Sequence, residues 1–245
     1  MEGGDWTSAL GAPPELPAAL AEDATDPGLA AMAALALHLV LGILSTVAIM
    51  YHAFGWLDAI VHAVFAPHVQ DPALYGTGYR NPIREEASKL AMLGLGALVL
   101  ASFRPLRLEA RLFPILLVPA LGIGLGFAVL ETRLDGGVAT GGDFLVTAVW
   151  RVMGHSLCVA WSAVGVALAA RRRWWWAAPL GLLVAMAIHM GNNVLHLGHP
   201  FLWARAGTRQ THWLIGWTVA WGAVAAATWR DLNAWPPSPR PNSGS

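Results

Sequence analysis

The chain has 245 residues and a formal net charge of zero; 56% of its residues are hydrophobic and 12% are charged. Soluble domains contain about 25% charged residues, so this composition indicates that lipid is the main solvent. The arginines lie in short clusters between apolar stretches and do not cover one face, which argues against nucleic-acid binding. We predict an all-α fold, a polytopic transmembrane helix bundle with six to seven spans.

The two ends of the chain differ in composition from the middle. Residues 1–27 contain six acids and neither lysine nor arginine, and residues 231–245 are rich in proline and serine. Both are predicted to be disordered tails, because neither can bury much apolar surface. The first tail also lacks the basic region that opens a signal peptide. Residues 28–230 are therefore predicted to form one transmembrane helical domain.

Six apolar stretches of this domain are long enough to cross about 30 Å of hydrocarbon, since a helix rises about 1.5 Å per residue. They are residues 28–54, 86–103, 112–131, 144–170, 174–197 and 212–229. A shorter stretch, residues 55–69, contains Asp58, His62 and His68. It could be an interfacial helix, a re-entrant helix or a seventh span.

Arginine clusters between the spans predict which side of the membrane each loop occupies. They follow the second, fourth and sixth stretches, at residues 104–111, 171–173 and 230. Loops that follow even-numbered spans lie on one side, which the positive-inside rule assigns to the cytoplasm. Arg205 and Arg209 lie in an opposite loop and count mildly against this orientation. We predict a multi-pass protein of the cell membrane with its arginine-rich loops in the cytoplasm.

Several polar side chains lie within or at the edge of the predicted spans. Each is a candidate functional residue, because an ionisable group in hydrocarbon costs on the order of several kcal/mol. They are Glu85, Glu86, Lys89, Glu131, Arg151, His155, His189, Asn192 and Asn193. Helical rise places four of them about 24–30 Å from the arginine cluster at the other end of their own helix: Glu86, Glu131, His155 and His189. Four helices are thus predicted to deliver polar groups to one layer in the outer leaflet.

Spacing along each helix repeats an i, i+4 pattern. It pairs Glu85 with Lys89, Phe127 with Glu131, Arg151 with His155, and His189 with Asn193. The second glutamate lies about 100° around the helix from the first, so we expect only one of them to point at the centre and the other to pair with a base or face the surface. A desolvated pocket that contains both acids and bases is a setting in which a glutamate becomes a general base.

Each polar residue could also have a purely structural role. The adjacent glutamates could stabilise a helix N-terminus, and the lysine could extend to the membrane surface. The histidines could be hydrogen-bonded core residues, and the asparagines could join helices. These interpretations do not explain a shared depth. Gly122, Gly124 and Gly126 in "GIGLGF" lie within a span without a preceding strand, so they predict close helix packing and not a dinucleotide site.

Four motifs together resemble those of a known family. They are "EEASK" at residues 85–89, "GFAVLE" at 126–131, His155, and "HMGNN" at 189–193. Their order and spacing resemble the PrsW-type intramembrane proteases, which are distantly related to the CAAX prenyl endopeptidases, to bacterial Abi proteins and, more remotely, to the APH-1 subunit of gamma-secretase. Thr132 departs from the family pattern, in which an asparagine commonly follows the glutamate.

The resemblance implies hydrolysis of a peptide bond in a membrane-anchored protein, such as an anti-sigma-like regulator, at a bacterial plasma membrane. The paired glutamates would supply the base that activates water, helped by the first histidine. The second histidine and an asparagine would stabilise the oxyanion, and the third glutamate would be a second acid or an orienting partner. The implied catalytic set is Glu85, Glu86, Glu131, His155, His189 and Asn193, supported by Lys89, Phe127, Arg151 and Asn192.

Two chemistries are open for such a set. A metal-free reaction without a cofactor is favoured, because every proposed ligand also has a role in it. The alternative is a divalent metal such as zinc, which would lower the pKa of a bound water. Its ligands would come from Glu86, Glu131, His155 and His189.

Two other classes of protein compete with the peptidase. One is a non-catalytic, APH-1-like membrane scaffold, in which the polar cluster packs helices or holds a partner. The other is a zinc transmembrane hydrolase acting on lipid, with ligands from His189, His196 and His199. Glutamine at Glu86 should abolish cleavage in a peptidase and leave the fold intact, whereas in a scaffold it should impair assembly. The oligomeric state is left open.

Overall fold

The computed structural model describes residues 27–51, 53–102, 112–134, 142–197 and 203–233. Within these ranges the chain forms seven α-helices and no strand. They are α1 (Pro27–Met50), α2 (Trp56–Phe65), α3 (Asn81–Ser102), α4 (Leu112–Leu134), α5 (Gly142–Arg172), α6 (Ala177–Leu197) and α7 (Trp203–Asn233). A π-helical segment, Leu74–Arg80, leads directly into α3. The all-α prediction is confirmed for these residues, and the two predicted tails lie almost wholly outside them.

Three of the described helices contain segments that are long and apolar enough to cross a membrane. These segments are Ala31–Met50 in α1, Ala148–Ala169 in α5 and Ala177–Leu195 in α6. The other three predicted spans correspond to α3, α4 and α7, and their crossing of the membrane stays a prediction. Helix α2 has ten residues and is therefore about 15 Å long. It is too short to be the seventh span, which leaves the interfacial and re-entrant interpretations of residues 55–69.

Helix α3 has the largest set of neighbours, because it packs against α1, α4, α5 and α6. Around it, α1 packs on α4, α4 on α5, and α5 on α6. Apolar side chains of three of these helices form a shared core that includes Leu93, Ile123 and Val159. The polar first turns of α3 are consequently surrounded by protein on several sides.

The glycines of "GIGLGF" let α4 approach two neighbours closely. A Cβ on Gly122 or Gly126 would collide with α1, and a Cβ on Gly124 would collide with Ser156 of α5. Residues four apart share one helix face, whereas the residue between them lies on the other side. The prediction of close helix packing is confirmed at these positions.

Alanine at Gly126 is expected to lower the stability of the bundle by about 1–3 kcal/mol, the usual effect of overpacking. The added methyl group would meet the backbone carbonyl of Leu39, which cannot move aside as a flexible side chain can. Gly154→Ala in α5 is the matched control, since a Cβ there meets nothing within 4 Å. Thermal unfolding in detergent, followed by circular dichroism, compares the two variants. Equal melting temperatures would contradict the close approach.

Candidate functional site

The first turns of α3 bury four charged side chains. Glu86 and Lys89 are each 1% exposed, and Arg84 and Glu85 are buried beside them. Removing a charge from water is unfavourable unless it is paired and hydrogen-bonded. The contacts of these side chains therefore determine what this end of the bundle can do.

A continuous chain of hydrogen bonds joins four helices at this point. Lys89 Nζ donates to Glu86 Oε1 over 2.7 Å and lies 2.7 Å from His155 Nδ1. His155 Nε2 is 2.8 Å from Glu131 Oε2. At the other end, His189 Nδ1 is 2.7 Å from Glu86 Oε1. The chain runs from α4 through α5 and α3 to α6, so it brings together the four residues predicted to share a depth.

The donor and acceptor of each of these hydrogen bonds can be assigned by starting from the lysine. A lysine ammonium can only donate, so His155 Nδ1 accepts from Lys89. The imidazole proton then lies on Nε2, which donates to Glu131. A carboxylate can only accept, so His189 Nδ1 donates to Glu86 and its Nε2 is directed elsewhere.

Glu85 lies at the edge of this chain with a carboxylate oxygen that is not hydrogen-bonded. Its Oε2 is 3.7 Å from Lys89 Nζ and 3.7 Å from His189 Nε2. These distances suit ion pairs but are too long for direct hydrogen bonds. Among the described residues, none donates a hydrogen bond to this buried oxygen. It is an acceptor within reach of two basic groups.

Of the two alternatives expected for the second glutamate, a base or the surface, the structure shows pairing with a base. Glu85 and Glu86 both approach Lys89 and His189, at 3.7 and 2.7 Å respectively. Helix α3 has protein neighbours on several sides, so two positions about 100° apart can both face the cluster. The two carboxylates differ instead in their bonding, because Glu86 Oε1 accepts two close hydrogen bonds.

The series of hydrogen bonds is more exposed to solvent at Glu131. Arg151 Nε lies 3.8 Å from Glu131 Oε2, and both side chains are partly exposed. Arg151 Nη1 also donates to the hydroxyl of Thr132 over 3.4 Å. The threonine that departs from the family pattern thus contacts the arginine that pairs with the adjacent glutamate.

Phe127 covers the middle of the chain with an apolar ring. Its centroid lies 4.7 Å from that of the His155 ring and 4.1 Å from Lys89 Nζ. The second distance is within the range of a cation–π contact. The ring is buried and therefore separates the ammonium from water on that side.

Two further predicted residues take no part in this series of hydrogen bonds. Asn193 Nδ2 donates to the backbone oxygen of Thr77 over 2.9 Å, which joins α6 to the π-helical segment. Asn192, beside it, is partly exposed. The implied role of Asn193 at an oxyanion therefore stays a prediction. The side chain of His196 and all of His199, required by the lipid-hydrolase alternative, lie outside the described residues.

A metal ion could be held by Glu85, His155 and His189, whose ligand atoms lie within 4.8 Å of one another. Zinc ligands at about 2.1 Å in a tetrahedron are roughly 3.4 Å apart, so these atoms would have to move together. His155 would also have to release Lys89 or Glu131, because both of its ring nitrogens are engaged. His189 fits better, since a carboxylate on the opposite ring nitrogen is typical of metal-binding histidines. The group contains Glu85 in place of the predicted Glu86 and Glu131.

Arg84 also belongs to this region, although it was not among the residues predicted from the sequence. Its Nη2 donates to the backbone oxygen of Ile49 over 3.1 Å, and its Nε lies 3.6 Å from Asp58 Oδ1. An arginine directly before two glutamates at the start of an apolar helix was the available signal. Its importance depends on tertiary contacts with α1 and α2.

Comparisons with protein-family models, with curated proteins and with solved structures find no match to this chain. The resemblance to PrsW-type proteases accordingly rests on the motifs alone. The function is therefore argued from the geometry of the polar cluster.

Proposed function

We propose that this chain is a multi-pass intramembrane peptidase of the PrsW type that hydrolyses a peptide bond with a glutamate-activated water. One observation supports this most strongly. The buried Oε2 of Glu85 accepts no hydrogen bond from the described residues, although a lysine and a histidine lie 3.7 Å away. Buried polar atoms are usually hydrogen-bonded, so an oxygen of this kind is a place where a water molecule can bind.

Glu85 is the better candidate for the general base. A base must accept a proton from water within hydrogen-bond reach, which requires an available oxygen. Glu86 Oε2 likewise accepts no hydrogen bond from the described residues, but the Glu86 side chain is 0% exposed against 12% for Glu85. Glu86 Oε1 already accepts from Lys89 and His189, so Glu86 is better suited to hold those two groups in place. A water bound at Glu85 Oε2 would also lie close to His189 Nε2.

His189 is the candidate donor for the tetrahedral oxyanion. Three carboxylates and two cations meet in the cluster: Glu85, Glu86, Glu131, Lys89 and Arg151. With neutral histidines the cluster has one excess negative charge, which an imidazolium at His189 would neutralise. Its Nδ1 would still donate to Glu86, and its Nε2–H could donate to an oxygen that gains negative charge.

The proposed reaction balances without another reactant. Glu85 takes one proton from water while the water oxygen bonds to the carbonyl carbon of the scissile peptide. The carbonyl oxygen becomes an oxyanion that accepts a hydrogen bond from His189. The carbon–nitrogen bond then breaks, and the proton on Glu85 passes to the leaving amine. The products are a carboxylic acid and an amine, which become a carboxylate and an ammonium after one further proton passes between them.

The remaining cluster residues hold this geometry. Glu131 accepts from His155 Nε2, so the ring is oriented with Nδ1 towards Lys89. Lys89 in turn holds the Glu86 carboxylate that orients His189. His155 and Glu131 are thus assigned as positioning residues.

The proposed setting is the outer leaflet of a cell membrane. Three apolar helices of sufficient length support membrane insertion. In the sequence, Arg104, Arg107 and Arg111 follow the end of α3 that is opposite the polar cluster, and the positive-inside rule directs such a group of arginines to the cytoplasm. The substrate class that fits such a site is a membrane-anchored protein with an accessible segment near the outer surface.

Comparison of newly formed protein N-termini in cells tests the proposed function. Bacterial cells that express the wild-type chain should contain new N-termini in or close to the membrane segments of other proteins. Cells that express Glu85→Gln at the same level should lack these termini. Asp71→Asn is the control, because Asp71 is an exposed acid that caps backbone amides of residues 73 and 74. Identical termini in wild-type and Glu85→Gln cells would reject the proposal.

Chelation tests the second chemistry that the cluster supports. We expect cleavage of a substrate found in this way to continue after removal of zinc with 1,10-phenanthroline, because both nitrogens of His155 are engaged by protein groups. Purified wild-type protein is treated in liposomes, and residual zinc is measured by mass spectrometry. Loss of cleavage that added zinc restores would instead favour a metal on Glu85 and His189.

A further inference from the structure

Helix α2 has two chemically different faces. Its inner face packs on the protein through Val61, through Asp58 near Arg84, and through Phe65, whose ring lies 5.0 Å from that of Tyr79. Its outer face, beside the exposed His62, is a stripe of six exposed apolar residues: Trp56, Ala59, Ile60, Ala63, Val64 and Pro67. The three largest of the helical residues are 65, 55 and 53% exposed. These six positions recur at intervals of three and four and therefore form one stripe.

Arg84 fixes the level of this helix relative to α1. Its guanidinium donates to the backbone oxygen of Ile49 in the last turn of α1 and lies 3.6 Å from Asp58 in the first turn of α2. The segment of α1 that is long and apolar enough to cross a membrane ends at Met50. Helix α2 therefore begins where α1 leaves the hydrocarbon, and its length of about 15 Å prevents it from crossing.

We propose that α2 is an interfacial helix whose apolar stripe lies in the lipid of the leaflet beside the candidate site. Interfacial helices bury an apolar face about 5–10 Å into the boundary between headgroups and acyl chains. Trp56 and the exposed Tyr51 before it are of the residue types that are enriched at this boundary. The stripe has no charged side chain, and its one hydrogen-bonding group is the indole N–H of Trp56, which suits a boundary that is apolar on one side and wet on the other.

The position of α2 gives this lipid contact a consequence. Arg84, which holds α2, directly precedes Glu85 in α3. The lipid-bound helix, the end of α1 and the start of α3 thus meet at one guanidinium. The depth of α2 in the leaflet would thereby be coupled to the position of the first turn of α3. This inference stands on α2 alone and does not depend on the reaction proposed for the cluster.

Fluorescence quenching in vesicles tests the proposal. Cys158, the only cysteine, is buried, and a Cys158→Ala background lets Ile60→Cys and Val64→Cys be labelled singly with the fluorophore NBD. His68→Cys, in the exposed turn after α2, is the control. In phosphatidylcholine and phosphatidylglycerol vesicles, lipids with a nitroxide on the acyl chain should quench the two stripe positions several-fold more than the control. Aqueous iodide should show the opposite order.

Two results would overturn the proposal. Iodide quenching at Ile60 and Val64 equal to that at His68 would show that the stripe faces water. Protection of both stripe positions from both quenchers would show that protein covers them, either a second copy of the chain or a bound polypeptide. Two stripe positions are used so that one poorly folded variant does not decide the outcome.

Discussion

Replacing Lys89 with methionine should destabilise the folded protein by about 3–5 kcal/mol, the usual effect of removing one partner of a buried ion pair. Lys89 is the only lysine of the chain, and its ammonium lies 2.7 Å from Glu86 Oε1 and from His155 Nδ1. Without it, the buried Glu86 carboxylate loses its lysine partner and keeps only the hydrogen bond from His189. Unfolding of the purified protein in mixed detergent micelles measures the change.

The double variant Lys89→Met/Glu86→Gln is expected to recover much of the lost stability. It removes the isolated carboxylate together with the lysine, so the two effects should be strongly non-additive. Recovery will be incomplete, because Glu85 and His155 also lose their contacts with the ammonium. A double variant as unstable as Lys89→Met alone would show that the stranded carboxylate is not the cause.

Arg151→Met is the matched control for the lysine variant. Arg151 also pairs with a glutamate of the cluster, but at 3.8 Å and with a partly exposed side chain. Ion pairs of this kind contribute about 0–1 kcal/mol, so the loss should be several-fold smaller. Equal losses of stability in the two variants would contradict the expectation that the buried ion pair contributes more than the partly exposed one.

The convergence of the polar residues could be predicted from sequence because it depends on one constant. Helical rise is the same in every span, so counting from the arginine clusters gives the depth of Glu86, Glu131, His155 and His189. The hydrogen-bonded chain is consistent with that shared depth. Depth alone does not give the rotation of each helix about its axis.

The pairing within the cluster could not be predicted for this reason. The i, i+4 pattern assigned Lys89 to Glu85, yet its closer partner is Glu86, three residues away, at 2.7 Å against 3.7 Å. Both spacings are sterically possible on a helix, and neighbours on other helices decide between them. His155 and His189 surround this part of α3, so they determine the side-chain directions.

The starts of helices could also be predicted only approximately from the sequence. The apolar pattern placed the start of the second span at residue 86, whereas α3 begins at Asn81. Its first turn contains polar residues that protein covers, and hydropathy cannot distinguish protein from water as their surroundings. The π-helical segment before α3 was not predicted either, because its contact with Asn193 of α6 is tertiary.

Exchanging each of the paired glutamates for glutamine should separate catalysis from folding. Glu85→Gln is expected to lower cleavage by about 10²–10⁴-fold, the contribution of a general base, and to leave the melting temperature near that of the wild type. An amide has the same shape as a carboxylate but cannot take the proton from water. The Oε2 atom of Glu85 accepts no hydrogen bond from the described residues, so few contacts are lost.

Glu86→Gln should have the opposite profile. Glu86 Oε1 accepts from both Lys89 and His189, so glutamine would leave a buried ammonium without its closest anion and should lower the melting temperature markedly. This differs from the expectation from sequence alone that Glu86 could be changed without harm to the fold. Cleavage of a substrate identified from its new N-terminus, together with thermal unfolding of the same preparations, measures both effects.

The pair of variants also distinguishes a peptidase from a scaffold. In a scaffold the cluster serves only to hold helices or a partner, so assembly would be impaired by Glu86→Gln and no activity would depend on Glu85. A peptidase requires a variant that folds and assembles normally but does not cleave. Glu85→Gln is the substitution that the geometry selects for this purpose, because its carboxylate is the one that is close to Lys89 and His189 without a hydrogen bond to either. A folded Glu85→Gln protein that cleaves at the wild-type rate would exclude Glu85 as the base.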